Sequence, residues 1–384
     1  LYIIRYMYRQ VLATLTQAWQ GDRRPILLIL GLRQTGKSTL AETFCRQSNR
    51  PFVRFNFDLL SDINEFTRQD RNSLALLADR YRDQIVIIDE VQKSPEAIGI
   101  IKHLYDTYHL DFLLTGSSEI KIRRGLGDSL AGRTREVRLF PLSLVEIDLQ
   151  SDQPFSAKRE FNNYDFNQQR LLLGLVFGFL PQIQNIPAGQ YAAYLRDLTN
   201  NLLAKDILEI AGTKKPAQVF HLAKLLAFQI GQIVNFNELA SLTSLSRITV
   251  INYVEIFEQM GLIVRAEPLS TNRREAITKR AKIYFTDLGI RNALIGDFND
   301  FTNRRDQGPL LENALFVGMK RHLEYGGRPY ELGFFRSLNG SEIDIVKKVN
   351  GVEELFEVKV GDKPLRRQEK VTLISLKTAQ KYLY

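Results

Sequence analysis

The stretch Gly31-Leu32-Arg33-Gln34-Thr35-Gly36-Lys37-Ser38-Thr39 constrains the fold of this chain more than any other. The apolar run Ile26 to Leu30 before it reads as a buried strand, and Lys37 to Gln47 after it reads as a helix. Its spacing, G-x-x-x-x-G-K-S, suits a bend that wraps a phosphate chain. Glycines let backbone N–H groups turn inward, and the helix N-terminus adds the positive end of its dipole. Lys37 then reaches the outer phosphates and Ser38 a magnesium ion. The stretch therefore predicts a strand, loop and helix that bind ATP with Mg²⁺ through residues Gly31, Leu32, Arg33, Gln34, Thr35, Gly36, Lys37, Ser38 and Thr39.

A second element fits the same chemistry. Ile85-Val86-Ile87-Ile88 is an apolar strand that ends in Asp89-Glu90. Such a strand delivers Asp89 to the magnesium shell, and Glu90 can orient and deprotonate an attacking water. The second acid, and the lack of a guanine-reading N-K-x-D sequence, favour ATP hydrolysis over a GTPase switch. Phe112 to Leu114 reads as a further strand running into Thr115-Gly116-Ser117-Ser118. Thr115 and Ser117 are candidates for contact with the γ-phosphate, although the segment reads equally as a turn. Arg133, in Leu130-Ala131-Gly132-Arg133, is the candidate arginine finger acting from a neighbouring subunit, with Arg124 and Arg135 competing for that role.

Length and periodicity divide the chain. At 384 residues it exceeds one ordinary core. Residues 1–142 alternate apolar strands with helices after an N-terminal helix (Ile4, Met7, Val11, Leu12, Leu15), which predicts an α/β domain with a parallel sheet covered on both faces. Residues 143–227 are helical in character, with an Asn/Gln-rich loop near Phe161 to Gln169. In residues 228–290, Asn235 with Glu238 resembles a capping box opening a helix to Leu242, and Arg247 to Met260 is a second helix ended by Gly261. Strands at Leu262 to Glu267 and Lys282 to Phe285 then flank a basic loop. Helix, turn, helix and basic wing predict a winged helix. Residues 291–384, with a helix from Leu310 to Leu323 and three strands after it, predict a small α/β domain.

Composition narrows the function classes. No run of eighteen apolar residues occurs, so the chain reads as soluble, and one cysteine, Cys45, fits a reducing cytoplasm. That cysteine and four histidines leave little for a zinc site. The start Leu1-Tyr2-Ile3-Ile4-Arg5 lacks an initiator Met and a secretory layout, as expected of a sequence that begins inside its gene product. The net charge of +9 gathers at Lys121, Arg123, Arg124, Arg133, Arg135 and Arg138, and at Arg273, Arg274, Lys279, Arg280 and Lys282. These clusters are either solvated faces or sites for nucleic acid.

Taken together, these stretches resemble the AAA-type P-loop ATPases of bacteria and archaea that carry a C-terminal domain of unknown function with restriction-endonuclease-like character. The resemblance spans almost the whole chain. It is carried by Gly31 to Thr39, Ile87 to Gln92, Leu114 to Ser118, Leu130 to Arg133 with Phe140-Pro141-Leu142-Ser143, Tyr284 to Gly289, and Leu311-Glu312-Asn313. Gly178-Phe179-Leu180-Pro181 departs from the Gly-Gly-Phe-Pro-type segment frequent in similar proteins. The resemblance implies an ATPase core, a helical lid, a winged helix and a PD-(D/E)XK nuclease-like end.

Glu312 on a helix, Asp344 in a strand, and Glu357 with Lys359 in the next strand follow the order of such a nuclease. Two or three carboxylates would hold magnesium against a scissile phosphate, and the lysine would assist the water. A nuclease fold that grips DNA or a partner without cutting is the alternative. On the winged helix, Arg247, Thr249 and Asn252, with Arg273 and Arg274 in the wing, suit groove and phosphate contacts, whereas Ile248, Val250, Ile251, Val254 and Phe257 read as core. The same module can dock proteins. The expected protein is a cytoplasmic, DNA-associated, AAA-like ATPase, possible as a homo-oligomer. Its rivals are an ATP-dependent switch with a protein partner and an ATP-regulated DNA endonuclease.

Overall fold

The structure, a computed structural model, describes residues 9–21, 23–67, 70–117, 130–149, 164–207, 215–269, 281–337, 341–361 and 371–383. Ser118, Lys121, Arg123, Arg124, Arg273, Arg274, Lys279 and Arg280 lie outside the described residues. The chain forms two compact units, Leu1–Phe140 with Gln259–Gly261, and Pro141–Glu258 with Leu262–Tyr384.

The first unit is built on five strands, β1 (Ile26–Leu30), β2 (Phe52–Asn56), β3 (Ile85–Asp89), β4 (Asp111–Gly116) and β5 (Thr134–Arg138). They lie in the order β2-β3-β4-β1-β5, and every pairing is parallel. Helix α1 (Val11–Ala18) precedes them, and α2 (Lys37–Gln47), α3 (Leu60–Thr67), α4 (Arg71–Tyr81) and α5 (Ala97–Tyr108) lie in the crossovers. All residues of β1 and β3 are buried, as strands covered on both faces must be. Phe55, Phe57, Phe66, Tyr81, Ile101 and Phe112 belong to one apolar cluster against this sheet. Burial of each such side chain stabilises the fold by roughly 1.5–3 kcal/mol. Because the strands run the same way, their C-terminal ends share one edge. With β4 between β1 and β3, the Gly31 bend, Thr115 and Asp89-Glu90 become neighbours there.

The second unit begins with α6 (Leu144–Leu149), α7 (Tyr164–Phe177), α8 (Tyr191–Asn201), a π-helical turn (Leu202–Ile207) and α9 (Pro216–Phe228). Ser143 and Glu146 form a reciprocal cap at the start of α6, with Glu146 N–H on Ser143 Oγ at 3.0 Å and Ser143 N–H on Glu146 Oε2 at 2.8 Å. Next come α10 (Phe236–Thr243), α11 (Arg247–Gln259), β6 (Ile263–Pro268) and β7 (Lys282–Phe285). β6 and β7 are antiparallel, and Ile233 bridges to Lys282 on the other side of β7. Then follow α12 (Leu288–Ile295), α13 (Gln307–Gly326), β8 (Tyr330–Arg336), β9 (Glu342–Val349), β10 (Val352–Lys359), β11 (Val371–Ser375) and α14 (Leu376–Leu383). A single six-stranded mixed sheet runs β11-β10-β9-β8-β6-β7. The pair β6 and β8 joins it through Glu267 opposite Gly333 and Pro268 opposite Phe334. Residues that the sequence divides between 228–290 and 291–384 therefore share one sheet.

Two details concern the segments that carry the resemblance. Asp287 caps α12 by accepting from Ile290 N–H at 3.2 Å and, with its other oxygen, accepts from Phe179 N–H at 2.7 Å. Gly178, at φ 74°, packs so closely that a Cβ there would overlap the Asp287 carboxylate. Asn313 pairs with the backbone of Phe285 as a strand would, accepting its N–H at 2.7 Å and donating to its carbonyl at 2.8 Å. One expectation fails on α11. Val250, Val254 and Phe257 are buried, but Ile248 is 70% exposed. The buried stripe is Val250, Tyr253, Val254 and Phe257, spaced by three and four, so Ile248 falls on the opposite face.

Candidate active site

The bend between β1 and α2 is shaped by backbone rather than by side chains. Gly31 follows β1, where Leu139 N–H meets Leu30 O at 2.6 Å, and a Cβ on Gly31 would overlap the Leu139 carbonyl oxygen. Gln34 and Gly36 take left-handed conformations, at φ 64° and 90°. For Gln34 this is strained, a feature that concentrates at functional loops. Gly36 is the N-cap of α2, so the first-turn N–H groups of the helix, at Lys37, Ser38 and Thr39, point toward the bend. Lys37 is buried, and its Nζ donates to Gly31 O at 3.0 Å and Leu32 O at 3.2 Å. Buried Thr35 donates to Leu32 O at 2.8 Å. Beneath it, buried Arg9 donates to Thr35 O at 2.8 Å and Phe140 O at 2.5 Å.

Asp89 and Glu90 end β3 beside this bend. Asp89 is buried, with Oδ1 accepting from Thr115 Oγ1 at 2.8 Å and Oδ2 from Arg54 Nε at 2.6 Å. Arg54 also donates to Glu42 on α2 at 2.8 Å. Glu90 adopts φ 53°, which turns it out of the strand. Its Oε2 accepts from Ser117 Oγ at 3.0 Å and from Gln92 Nε2, and Gln92 also donates to Ser117 Oγ at 3.2 Å. Gln92 Oε1 is buried and has no hydrogen-bond partner among the described residues. Burial pushes the Glu90 carboxyl up, but Lys37, the Gln92 and Ser117 hydrogen bonds and Arg33 outweigh it and hold the group below the ordinary carboxylate range. Glu90 is thus a carboxylate that stays ionised at neutral pH within the field of Lys37.

The sequence-predicted residues of this bend, with Asp89, Glu90, Thr115 and Ser117, therefore converge at one edge of the sheet. Arg133 does not join them within its own chain. Ile26 N–H donates to Arg133 O at 2.9 Å, which sets Arg133 at the start of β1, the edge opposite the bend. The five residues of β1 separate the two edges by about 16 Å. There Arg133 pairs with Asp106, Nε to Oδ1 at 2.8 Å. The residues that sequence reasoning missed are Arg9, Arg54 and Gln92. Gln92 closes the run Ile87 to Gln92 that carries the resemblance, and Arg54 is a cation in an otherwise apolar strand start, but Arg9 has no local signal.

A second convergence lies in the other unit. Glu312, Asp344, Glu357 and Lys359 are brought together, with Lys282, Tyr284 and Glu342 added. Glu312 Oε1 accepts from Lys282 Nζ at 2.9 Å and from Tyr284 Oη at 2.6 Å. Lys282 also pairs with Glu342 at 2.6 Å. Asp344 Oδ2 accepts from Val358 N–H at 2.8 Å, and Lys359 pairs with Glu357 at 2.8 Å. Burial, opposed by Lys282 and reinforced by Asp344, pushes Glu312 up to about 7. Asp344 is raised too, chiefly by burial. On α11, Arg247 and Asn252 are exposed, while Thr249 serves the helix start, its N–H on Ser246 Oγ at 3.1 Å.

Residues 23–148 match the profile of an AAA domain family, and residues 168–300 match a domain of unknown function, DUF8612. A protein of Haemophilus influenzae is 22% identical over 88% of this chain and 82% of its own length. One of Methanocaldococcus jannaschii is 23% identical over 85% and 74%, and one of Mycobacterium tuberculosis is 24% identical over 93% and 76%. All three are described as uncharacterized. Among solved structures, the RuvB Holliday junction branch migration motor of Thermotoga maritima covers 71% of this chain and 90% of its own, at 14% identity and a TM-score of 0.33. Residues 23–148 are an AAA-type P-loop domain, the class of nucleotide-binding ATPase fold that the sheet and the bend define. Among the described residues no helix is long and apolar enough to cross a membrane.

Proposed function

We propose that this chain binds ATP with Mg²⁺ and hydrolyses it, and that Glu90 is the base. The observation that carries the reading is the placement of an ionised Glu90 beside Lys37 at a bend strained at Gln34. The bend suits a phosphate chain because α2 begins there at Gly36 and its lysine rests on backbone carbonyls that phosphate oxygens can replace. Ser38 and Asp89 would hold the magnesium ion, Asp89 once the exposed Arg54 side chain gives up its Oδ2, and the ion would neutralise charge on the phosphate oxygens. The N–H groups of Gly36 to Thr39 bind phosphate oxygens, and Lys37 positions the terminal phosphoryl group. Ser117 and Gln92 orient the Glu90 carboxylate, and Glu90 takes the proton of the attacking water at its Oε atoms. Thr115 fixes Asp89 and contacts the γ-phosphate side of the site. Arg133, turned away from its own bend, serves as a finger only toward a neighbouring copy in a homo-oligomer.

The ATPase is DNA-associated in this reading, with nucleotide state moving residues 143–227 and a winged helix at 228–290. Support comes from the net charge of +9 and from exposed Arg247 and Asn252 on the second helix of the α10–α11 pair, which the antiparallel β6 and β7 follow in the chain. Arg273 and Arg274 would add phosphate contacts. A second reading, an ATP-dependent switch that docks a protein, is favoured by Ile248, 70% exposed, and Leu242, 50% exposed, at the same helix pair. Phosphate release by the purified chain, with and without duplex and single-stranded DNA, separates the two. Stimulation of several fold supports DNA coupling, and indifference to every DNA form supports docking. A Lys37→Ala chain that released phosphate as fast as the parent would reject both.

A further inference from the structure

The PD-(D/E)XK order of Glu312, Asp344, Glu357 and Lys359 implies a divalent metal, and the arrangement of these residues does not fit one. Magnesium demands near-octahedral oxygen ligands at about 2.0–2.1 Å and free carboxylate lone pairs facing one point. Glu312 Oε1 is instead shared by Lys282 Nζ at 2.9 Å and Tyr284 Oη at 2.6 Å, and Asp344 Oδ2 accepts the Val358 N–H at 2.8 Å. Glu357 pairs with Lys359 at 2.8 Å. Among the described residues, no three His, Cys, Asp or Glu side chains are arranged to hold a metal ion.

A cation is nevertheless present among these carboxylates. Lys282 is 1% exposed, and its ammonium lies 2.9 Å from Glu312 and 2.6 Å from Glu342, and 5.3 Å from the centre of the Phe334 ring. Strand alternation puts Lys282 and Tyr284 on one face of β7, and Asn313, the residue after Glu312 on α13, docks that helix to the same strand, which fixes Glu312 over both. Burial works to discharge Lys282, yet the two glutamates hold it above the ordinary lysine range. Removing one member of such a buried pair leaves an uncompensated charge and is strongly destabilising in general. The chain itself therefore supplies a buried positive charge among these carboxylates.

We infer that the Lys282 ammonium occupies the cation position of this nuclease-like cluster, so that the chain holds no divalent metal there and the cluster serves as a structural ion-pair joint between β7, α13 and β9. This inference is independent of the ATP reading and opposes the endonuclease alternative. The test uses the full chain without nucleotide, so that the bend near Lys37 contributes no metal site of its own. Free Mn²⁺ is followed by electron paramagnetic resonance during titration of the parent, Asp344→Asn, Lys282→Met and the double variant Lys282→Met/Asp344→Asn, and each is melted with and without Mn²⁺.

Parent and Asp344→Asn are expected to titrate identically. Lys282→Met is expected to melt several degrees lower, to gain a Mn²⁺ site at least about tenfold tighter than any in the parent, and to recover melting temperature with Mn²⁺; the double variant loses that gain. A parent site that Asp344→Asn removes overturns the inference. So does a Lys282→Met chain that melts like the parent or gains no Mn²⁺ site. Should Lys282→Met fail to fold in either buffer, the comparison of parent with Asp344→Asn decides.

Discussion

The two charged clusters of this molecule use the same residue types to opposite ends. At the Gly31 bend, Lys37 donates to neutral carbonyls, and the facing Glu90 is held by Ser117 and Gln92. In the second unit, Lys282 lies between the carboxylates Glu312 and Glu342. A neutral carbonyl releases a lysine to an incoming phosphate at little cost, whereas a buried carboxylate deprived of its ammonium is left as an unpaired charge. The comparison teaches that the identity of the lysine's partners, more than the presence of a lysine among acids, separates a binding site from a structural joint.

The largest test of that contrast is Lys37→Ala, which should abolish nucleotide binding in a fluorescent-nucleotide titration while its melting temperature stays within a few degrees of the parent. Loss of the fold would make Lys37 a structural cation like Lys282, and the contrast would collapse.

A smaller effect is expected at Asp287, a buried carboxylate with no lysine partner among the described residues. Burial, opposed by the Phe179, Ile290 and Gly289 N–H groups, pushes it up to about 6. The folded state binds this proton more tightly than the unfolded chain does. Its stabilising contribution is therefore complete below the ordinary value of 3.8 and is lost as pH rises to about 6. Relative to Asp287→Asn, the parent should lose roughly 2–3 kcal/mol between pH 4 and pH 6 in urea melts. A pH-independent difference would show that Asp287 titrates normally.

Gly31→Ala should cost roughly 1–3 kcal/mol, because the new methyl meets the Leu139 carbonyl rather than a side chain that can turn away. Differential scanning calorimetry reads that loss, and an unchanged melting temperature would mean the bend has room to spare. The smallest expected signal concerns Arg133. A mixture of Lys37→Ala and Arg133→Ala chains should hydrolyse more ATP than the two measured apart, because each supplies what the other lacks. Activity equal to their sum would leave Arg133 as no more than the partner of Asp106.

Much of the first cluster is legible in sequence because its parts are contiguous. The strand Ile26–Leu30 and the helix Lys37–Gln47 fall where the sequence reading puts them, since an all-apolar strand and a glycine before a helix are local signals. Arg54 meets Asp89 from 35 residues away, and Lys282 meets Glu312 from 30 residues away. No local periodicity encodes such pairs. The nuclease-like order shows which acids converge, but not that a lysine on a different strand arrives among them. The exposure of Ile248 is hidden for another reason: in a helix rich in β-branched residues, several phases of the 3.6 period look apolar, and packing alone selects the buried one. The single mixed sheet in the second unit was likewise hidden, because a pairing of Glu267 and Pro268 with Gly333 and Phe334 leaves no trace in either segment.

The central claim, that Glu90 activates water at a bend that binds ATP with Mg²⁺, is tested most directly by Glu90→Gln. Nucleotide affinity and single-turnover hydrolysis should be measured on the same preparation. The account predicts affinity within about threefold of the parent and hydrolysis slower by roughly 10²–10⁴-fold, the usual contribution of a positioned general base. Hydrolysis at the parent rate with nucleotide bound would contradict it.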